Sequence, residues 1–235
     1  AVSPLARIVN EGRKRQGTPS GDLRGHAVAD QRFQLRNLLG SGSFGRVYAG
    51  TDSRTGEDVA VKLEPSFATQ PQLQYEAKIY KILAGGKGIP KIHWCGQEGI
   101  HSILVLELLG PSLEQAFVSS GRKMGLDAIT KVAQQTLECL EYIHEVGFFV
   151  HRDIKPHNIV FGRGAKADQV FLIDFGLAKR YRHPKTMEHI PYRDNKRTFT
   201  GNYAFAAVNS HLGIEACRRD DIDALGYMLV YLHRG

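Results

Sequence analysis

Within His151-Arg152-Asp153-Ile154-Lys155-Pro156-His157-Asn158, a carboxylate, an ammonium and a carboxamide fall inside six positions. Asp153 can accept the proton of an attacking hydroxyl. Lys155 can neutralise phosphate charge, and Asn158 can hold a metal ion through its amide oxygen. Apolar runs on either side, Val146–Val150 and Ile159–Phe161, put the stretch on a loop between a helix and a short strand. Farther on, Phe171-Leu172-Ile173 reads as a buried strand that delivers Asp174-Phe175-Gly176, a second carboxylate, at its end. A surface loop with assorted charges is the plainer account. Two linked motifs, each in the strand-and-loop context its chemistry needs, weigh against it.

Such groups act only if other elements bring a substrate to them. Phe33 to Leu39 reads as a strand, followed by Gly40-Ser41-Gly42-Ser43-Phe44-Gly45-Arg46-Val47. Three glycines at this spacing also mark dinucleotide-binding folds, but those require a helix directly afterwards. Here Val47-Tyr48-Ala49-Gly50 stays extended and Asp52-Ser53-Arg54-Thr55-Gly56 turns, so the loop is a strand-turn-strand cover. Glycines let such a cover close over phosphates without side-chain clash. Asp58 to Leu63 is a strand carrying Lys62, whose direction needs a carboxylate to fix it. Gln72 to Leu83 has helical spacing and contains Glu76, the expected partner. Glu64 is the rival, and it is expected to point elsewhere.

Strands over Lys91–Gln97 and Ile100–Leu106 complete a lobe of five strands and one helix. Glu107-Leu108-Leu109-Gly110 is a natural hinge, because Pro111 cannot continue a sheet. Backbone groups of Glu107 and Leu109 are expected to face the space between the two parts, with Leu106 guarding the pocket behind. Leu126 to Glu145 is the strongest helix, with Ile129, Val132, Leu140 and Ile143 on one face and Gly147 as its expected stop. Lys179, Arg180, Arg182, Lys185, Arg193, Lys196 and Arg197 form the densest basic region, an expected anion platform beside the cleft. Ala224 to Leu232 reads as an apolar helix.

The 235 residues suffice for one or two sizeable cores, and the net charge of +7 favours an acidic protein, phosphate, membrane-surface or nucleic-acid partner. Residues 1–32 lack hydrophobic periodicity and are expected to be a flexible basic tail. Cys95, Cys139 and Cys217 are odd in number, widely spaced and without a C-x-x-C pair. That pattern fits reduced thiols in an intracellular protein, in cytoplasm or nucleus. No stretch is apolar enough to span a bilayer and no signal peptide opens the sequence.

H-R-D-x-K-x-x-N followed by D-F-G is the catalytic signature of protein kinases, and residues 33 to 235 resemble that catalytic domain. The resemblance is strongest to the casein kinase I family of Ser/Thr kinases. It is carried by Gly88-Ile89-Pro90, Trp94-Cys95-Gly96, Glu107-Leu108-Leu109-Gly110-Pro111-Ser112-Leu113 and His189-Ile190-Pro191-Tyr192-Arg193. Asn209-Ser210-His211-Leu212-Gly213-Ile214-Glu215 and Arg218-Arg219-Asp220-Asp221 carry it further. It implies an α+β two-lobed fold. A small, mainly antiparallel β lobe with one helix would occupy 33–107, and a mainly α lobe 108–235. It implies that Mg-ATP binds between the lobes. Gly40, Ser41, Gly42, Ser43, Phe44 and Gly45 would cover the nucleotide, with Leu39, Val47, Ala60, Leu106, Glu107 and Leu109 around it. Lys62, paired with Glu76, would orient the phosphates. Asn158 and Asp174 would hold Mg2+, and Asp153 and Lys155 would act on the reacting groups. Asp221 would anchor the catalytic-loop backbone.

Family members favour Ser/Thr near acidic or phosphorylated residues, which suits the basic run; nucleic acid is not an expected partner. Ala204 departs from the family pattern, which has Arg there, and Ala207 stands for the usual Ser. The resemblance further implies helices after Ala224–Leu232. The second lobe is therefore expected to be incomplete and to leave an apolar face uncovered. The alternative function is a nucleotide-binding scaffold without efficient catalysis.

Overall fold

The computed structural model describes residues 23–42, 45–68, 71–194 and 199–235. Ser43 and Phe44 of the glycine-rich loop, and Lys196 and Arg197 of the basic run, lie outside them. The first lobe contains strands β1 (Ala27–Val28), β2 (Phe33–Gly42), β3 (Gly45–Asp52), β4 (Asp58–Pro65), β5 (Ile92–Glu98) and β6 (His101–Glu107). They form one six-stranded sheet in the order β1-β2-β3-β4-β6-β5, antiparallel at every pairing. Helix α1 (Leu73–Ile82) packs on it.

Strand alternation decides what faces the helix. Val59, Val61 and Leu63 of β4 and Ile103 and Val105 of β6 bury against Phe33, Leu35 and Tyr48 on one face. Ala60, Lys62 and Glu64 take the other face. The sequence reading sends Glu64 away from Lys62, but residues two apart on a strand share a face. Glu64 is buried there and accepts the peptide N–H groups of Gln72 and Leu73 at 2.9 and 3.0 Å. It therefore satisfies the first turn of α1, and this commitment removes it as a partner for Lys62.

The lobe also begins earlier than Phe33. Ala27 and Val28 pair with Gln34 and Phe33, Ala29 is buried, and Arg32 donates to Asp52 through Nε and a terminal nitrogen at 3.0 and 2.6 Å. Residues 23–32 are thus built onto the sheet, and only 1–22 of the expected tail lie outside the described residues. A two-residue strand is too short to show an alternating pattern.

The second lobe is mainly helical: α2 (Leu113–Ser119), α3 (Leu126–Glu145), α4 (Val208–His211) and α5 (Arg218–Arg234). Ser112 and Gln115 cap α2 reciprocally, at 3.2 and 2.9 Å. Two ribbons complete it: β7 (Phe149–Val150) with β10 (Lys179–Arg180), and β8 (Ile159–Phe161) with β9 (Val170–Leu172). A single apolar cluster runs from Leu73, Ile79 and Tyr80 of α1 through Ile154 and Phe175 to Leu140, Ile143, Leu225 and Met228. The lobes therefore share a core.

Helix α3 has the expected limits, with Ile129, Val132, Leu140 and Ile143 buried, but Gly147 ends it for a different reason. The left-handed residue after the helix is Phe148, at φ 56°. A β-carbon at Gly147 would lie 2.6 Å from a Leu83 methyl and 2.8 Å from the Phe149 ring, so glycine is needed for close packing. Helix α5 begins at Arg218, six positions before the apolar reading, because its charged first turn includes buried Asp220 and Asp221. Ala224, Leu225, Met228 and Leu232 pack inward, while Ile222, Tyr227 and Val230 on the outer side are exposed.

One ion pair of the sheet has a defined pH signature. Hydrogen bonding from Arg32 holds the Asp52 carboxyl below the usual carboxylate value, against burial. Its stabilisation is present above roughly pH 4 and is lost as pH falls through the folded-state value. Asp52→Asn should lower Tm near neutrality, and the difference from wild type should close on acidification. Thermal melts at a series of pH values check this; a constant difference would place the effect elsewhere.

Candidate active site between the lobes

The loop after β7 is bent around one carboxylate. Asp221 of α5 is buried and accepts the peptide N–H of His151 and of Arg152, both at 2.8 Å, and pairs with Nε2 of His144 at 2.9 Å. Arg152 takes φ 69°, a left-handed conformation that a non-glycine residue adopts only when held there. The next residue, Asp153, is thereby turned toward Lys155 and Asn158. Its Oδ2 accepts from Lys155 Nζ at 2.6 Å and Asn158 Nδ2 at 3.0 Å. Its Oδ1 is buried and has no hydrogen-bond partner among the described residues. Asn158 Nδ2 also donates to the Asp153 carbonyl at 2.9 Å, which leaves its amide oxygen as the end available to a cation.

Across the cleft, β9 leads to Asp174, which is left-handed at φ 66° and donates its N–H to the Tyr80 hydroxyl oxygen at 3.2 Å. Phe175 turns inward between the Tyr80 and His151 rings, 5.0 and 5.1 Å from their centroids. This contact aligns α1, the Asp174 turn and the catalytic loop through one stack of rings. Lys62 reaches Glu76 Oε2 at 2.7 Å and Asp174 Oδ1 at 3.2 Å. Burial pulls the Lys62 ammonium down, but the two carboxylates together hold it above the ordinary lysine value. Burial pushes the Asp174 carboxyl up, and Lys62 outweighs it, keeping Asp174 below its usual range and ionised.

The space between these groups is a cavity of about 550 Å3, lined by Leu39, Gly40, Val47, Ala60, Lys62, Leu106, Glu107 and Leu109. It is of a size that admits a nucleotide. A second cavity of about 480 Å3 adjoins it, with Ser41, Gly42, Gly45, Lys155, Asn158 and Asp174 on its walls. The sequence-derived residues therefore converge on one cleft, apart from Ser43 and Phe44, which lie outside the described residues, and Asp153, which lines neither cavity but a small adjoining one of about 10 Å3 that shares Asn202 with the second. Gly45 has φ 114°, and a β-carbon there would run into the Leu63 carbonyl, so the hairpin closes only with glycine. The Glu107 N–H is engaged by the Lys91 carbonyl at 2.9 Å, so Glu107 can offer a nucleotide its carbonyl but not its N–H.

The sequence reading passes over several cleft residues. Val160 and Ile173 line the larger cavity, and Asn202 the smaller. Val160 lies two positions after Asn158, so strand alternation alone could have found it. Asn202 is delivered by a segment whose path no local pattern reveals. His157 lines the wall of both cavities.

The basic run is less open than its composition suggests. Lys179 pairs with Glu215 at 2.8 Å, Arg180 lies 4.7 Å over the Phe149 ring, and Arg182 lies 5.7 Å over that of Tyr181. Lys185 and Arg193 remain exposed.

The family model described as the protein kinase domain matches residues 33–235. The chain belongs to the protein kinase family. That membership makes it an ATP-binding transferase of the class that phosphorylates proteins, and it accounts for a small antiparallel lobe joined to a helical one. No helix among the described residues is long and apolar enough to cross a membrane.

Asp221→Ala tests the anchoring of the catalytic loop. Each peptide N–H left buried without a partner costs about 1–3 kcal/mol. The variant should unfold at clearly lower denaturant and lose phosphoryl transfer. An unchanged midpoint would remove Asp221 from this role.

Proposed function

We propose that this kinase domain phosphorylates Ser and Thr hydroxyls of protein substrates in the manner of the casein kinase I family, which it resembles. The observation that carries the reading is the state of Asp153. One carboxylate oxygen is held by Lys155 and Asn158, which line the cleft, and the other is buried without a partner among the described residues. An acceptor of that kind suits removal of the proton from an incoming hydroxyl. Lys155, fixed against Asp153, lies where it can offset negative charge on the group being transferred. Lys62, held by Glu76 and Asp174, orients the phosphates under the Gly40–Gly45 hairpin.

The oxygens of Asn158 and Asp174 are the protein ligands offered to a metal ion. Among the described residues there is no group of three or more His, Cys, Asp or Glu side chains placed to hold a metal. One carboxylate and one amide oxygen fit Mg2+, a hard cation that keeps waters and takes its other ligands from phosphate. When bound it neutralises phosphate charge and fixes phosphate geometry.

Preference for acidic or phosphorylated sites forms part of the proposal. It rests on the resemblance and on exposed Lys185 and Arg193 in the basic run, and it is weakened by exposed Ala204, where the family has Arg.

Asp153→Asn should lower kcat by about 10²–10⁴-fold while ATP affinity stays near that of wild type. Transfer from labelled ATP to a Ser-containing acidic peptide, measured alongside nucleotide binding, decides it. Full turnover in the variant would exclude Asp153 as the base. Nucleotide binding without any transfer by the wild type would favour the scaffold alternative.

Ala204→Arg should raise kcat/KM for a phosphorylated peptide more than for its unphosphorylated form. The gain is expected to be modest, about 0.2–1 kcal/mol for a pair at an exposed position. Equal gains on both peptides would count against phosphate recognition there.

A further inference from the structure

Helix α1 touches the segment after Asp174 at a point the catalytic assignments do not use. Tyr75, next to Glu76, donates its hydroxyl to the Ala178 carbonyl at 3.0 Å. The preceding carbonyl, Leu177, accepts Arg152 Nε at 2.6 Å. Directly afterwards Lys179 and Arg180 pair with Val150 and Phe149. Residues 177–180 are therefore fixed to the second lobe by the catalytic loop and by a ribbon. The Tyr75 hydroxyl reaches the same stretch from the first lobe.

We propose that Tyr75 is a positioning residue for catalysis, its hydroxyl tying helix α1 to the backbone beyond Asp174 so that both carboxylates on Lys62 keep their places. The helix is held at its start by Glu64, through the Gln72 and Leu73 N–H groups, and this tie belongs wholly to the first lobe. Lower along the helix, Tyr80 accepts the Asp174 N–H. Tyr75 adds a polar tie from the same helix to a segment anchored in the other lobe. Without it, rotation of α1 about its axis would carry Glu76 away from Lys62 while the apolar face stayed largely packed.

The placement of Tyr75 agrees with a polar rather than a packing role. Its side chain is 42% exposed, whereas Glu76, Ala77, Ile79 and Tyr80 are buried. The ring is not needed to fill the core, so the hydroxyl is the part with a partner. Loss of that hydroxyl removes one hydrogen bond and little apolar burial.

This inference rests on the kinase reading of the cleft, so the test has one arm that needs no activity. Wild type and Tyr75→Phe, as full chains, are compared by thermal melting, by amide hydrogen exchange and by kinetics on an acidic Ser peptide with magnesium and ATP. Exchange should quicken in peptides covering residues 73–82 and 177–181 and stay unchanged in β4. The melting point should hold. In the kinetics, kcat should fall roughly 3- to 10-fold, the scale of one hydrogen bond, with the KM for peptide unchanged. Unchanged exchange in residues 177–181 would overturn the tether. A kcat equal to wild type, or a loss matched by lower protection throughout the domain, would overturn the positioning role. If the wild type transfers no phosphate, the functional reading fails by itself, and the exchange data alone decide whether the tether exists.

Discussion

A largely buried ammonium, held between a buried carboxylate and a partly exposed one, is the constraint on which the cleft depends. Lys62 comes from the middle of a sheet, Glu76 from a helix packed on it, and Asp174 from a turn in the other lobe. Taking these charges out of water costs several kcal/mol for each ion, and the attraction offsets that only when the geometry is good. The sheet, the helix and the turn must therefore settle together. Their shared apolar cluster supplies the driving force, since Leu73, Ile79, Tyr80 and Phe175 all belong to it.

The second lobe solves a similar problem with a different group. Asp221 lies in the first turn of α5, where a carboxylate is favoured by the exposed N–H groups of the helix. It faces the catalytic loop and binds two successive peptide N–H groups, forcing Arg152 into a left-handed conformation. That strain is what presents Asp153 with one oxygen engaged and the other without a partner. A residue some seventy positions later in the chain thus sets the geometry of Asp153.

Comparison of particular elements shows where local pattern is informative. Helix α3 was legible to the residue because its apolar stripe runs for five turns and only one structure buries it. Lys62 and Glu76 were legible because a strand lysine that faces the core requires a carboxylate. Glu64 is, as expected, not the partner of Lys62, but sequence shows only that it is charged, not that it shares the face of Lys62 and that its oxygens cap the helix bearing Glu76. The basic run was over-read, because net charge does not reveal that Lys179 meets Glu215 or that Arg180 lies on Phe149. The first strand was missed because Ala27 and Val28 acquire meaning only beside Phe33 and Gln34.

By itself the sequence determined the reactive groups and their order along the chain: a glycine-rich cover, a lysine, a helix carboxylate, a hinge, the Asp153 loop and the Asp174 turn. Residue type and short spacing suffice for these, because each is a local unit of strand, turn or helix. Only the tertiary structure decided how they work together. It set the contacts by which Asp221, an anchor the resemblance already implied, holds the backbone before Asp153, the ring stack of Tyr80, Phe175 and His151, the entry of Asn202 into the cleft, and the reach of Tyr75 to Ala178. These contacts join residues far apart in the chain. Their energies depend on distance and burial in the folded core, which no short window of sequence contains.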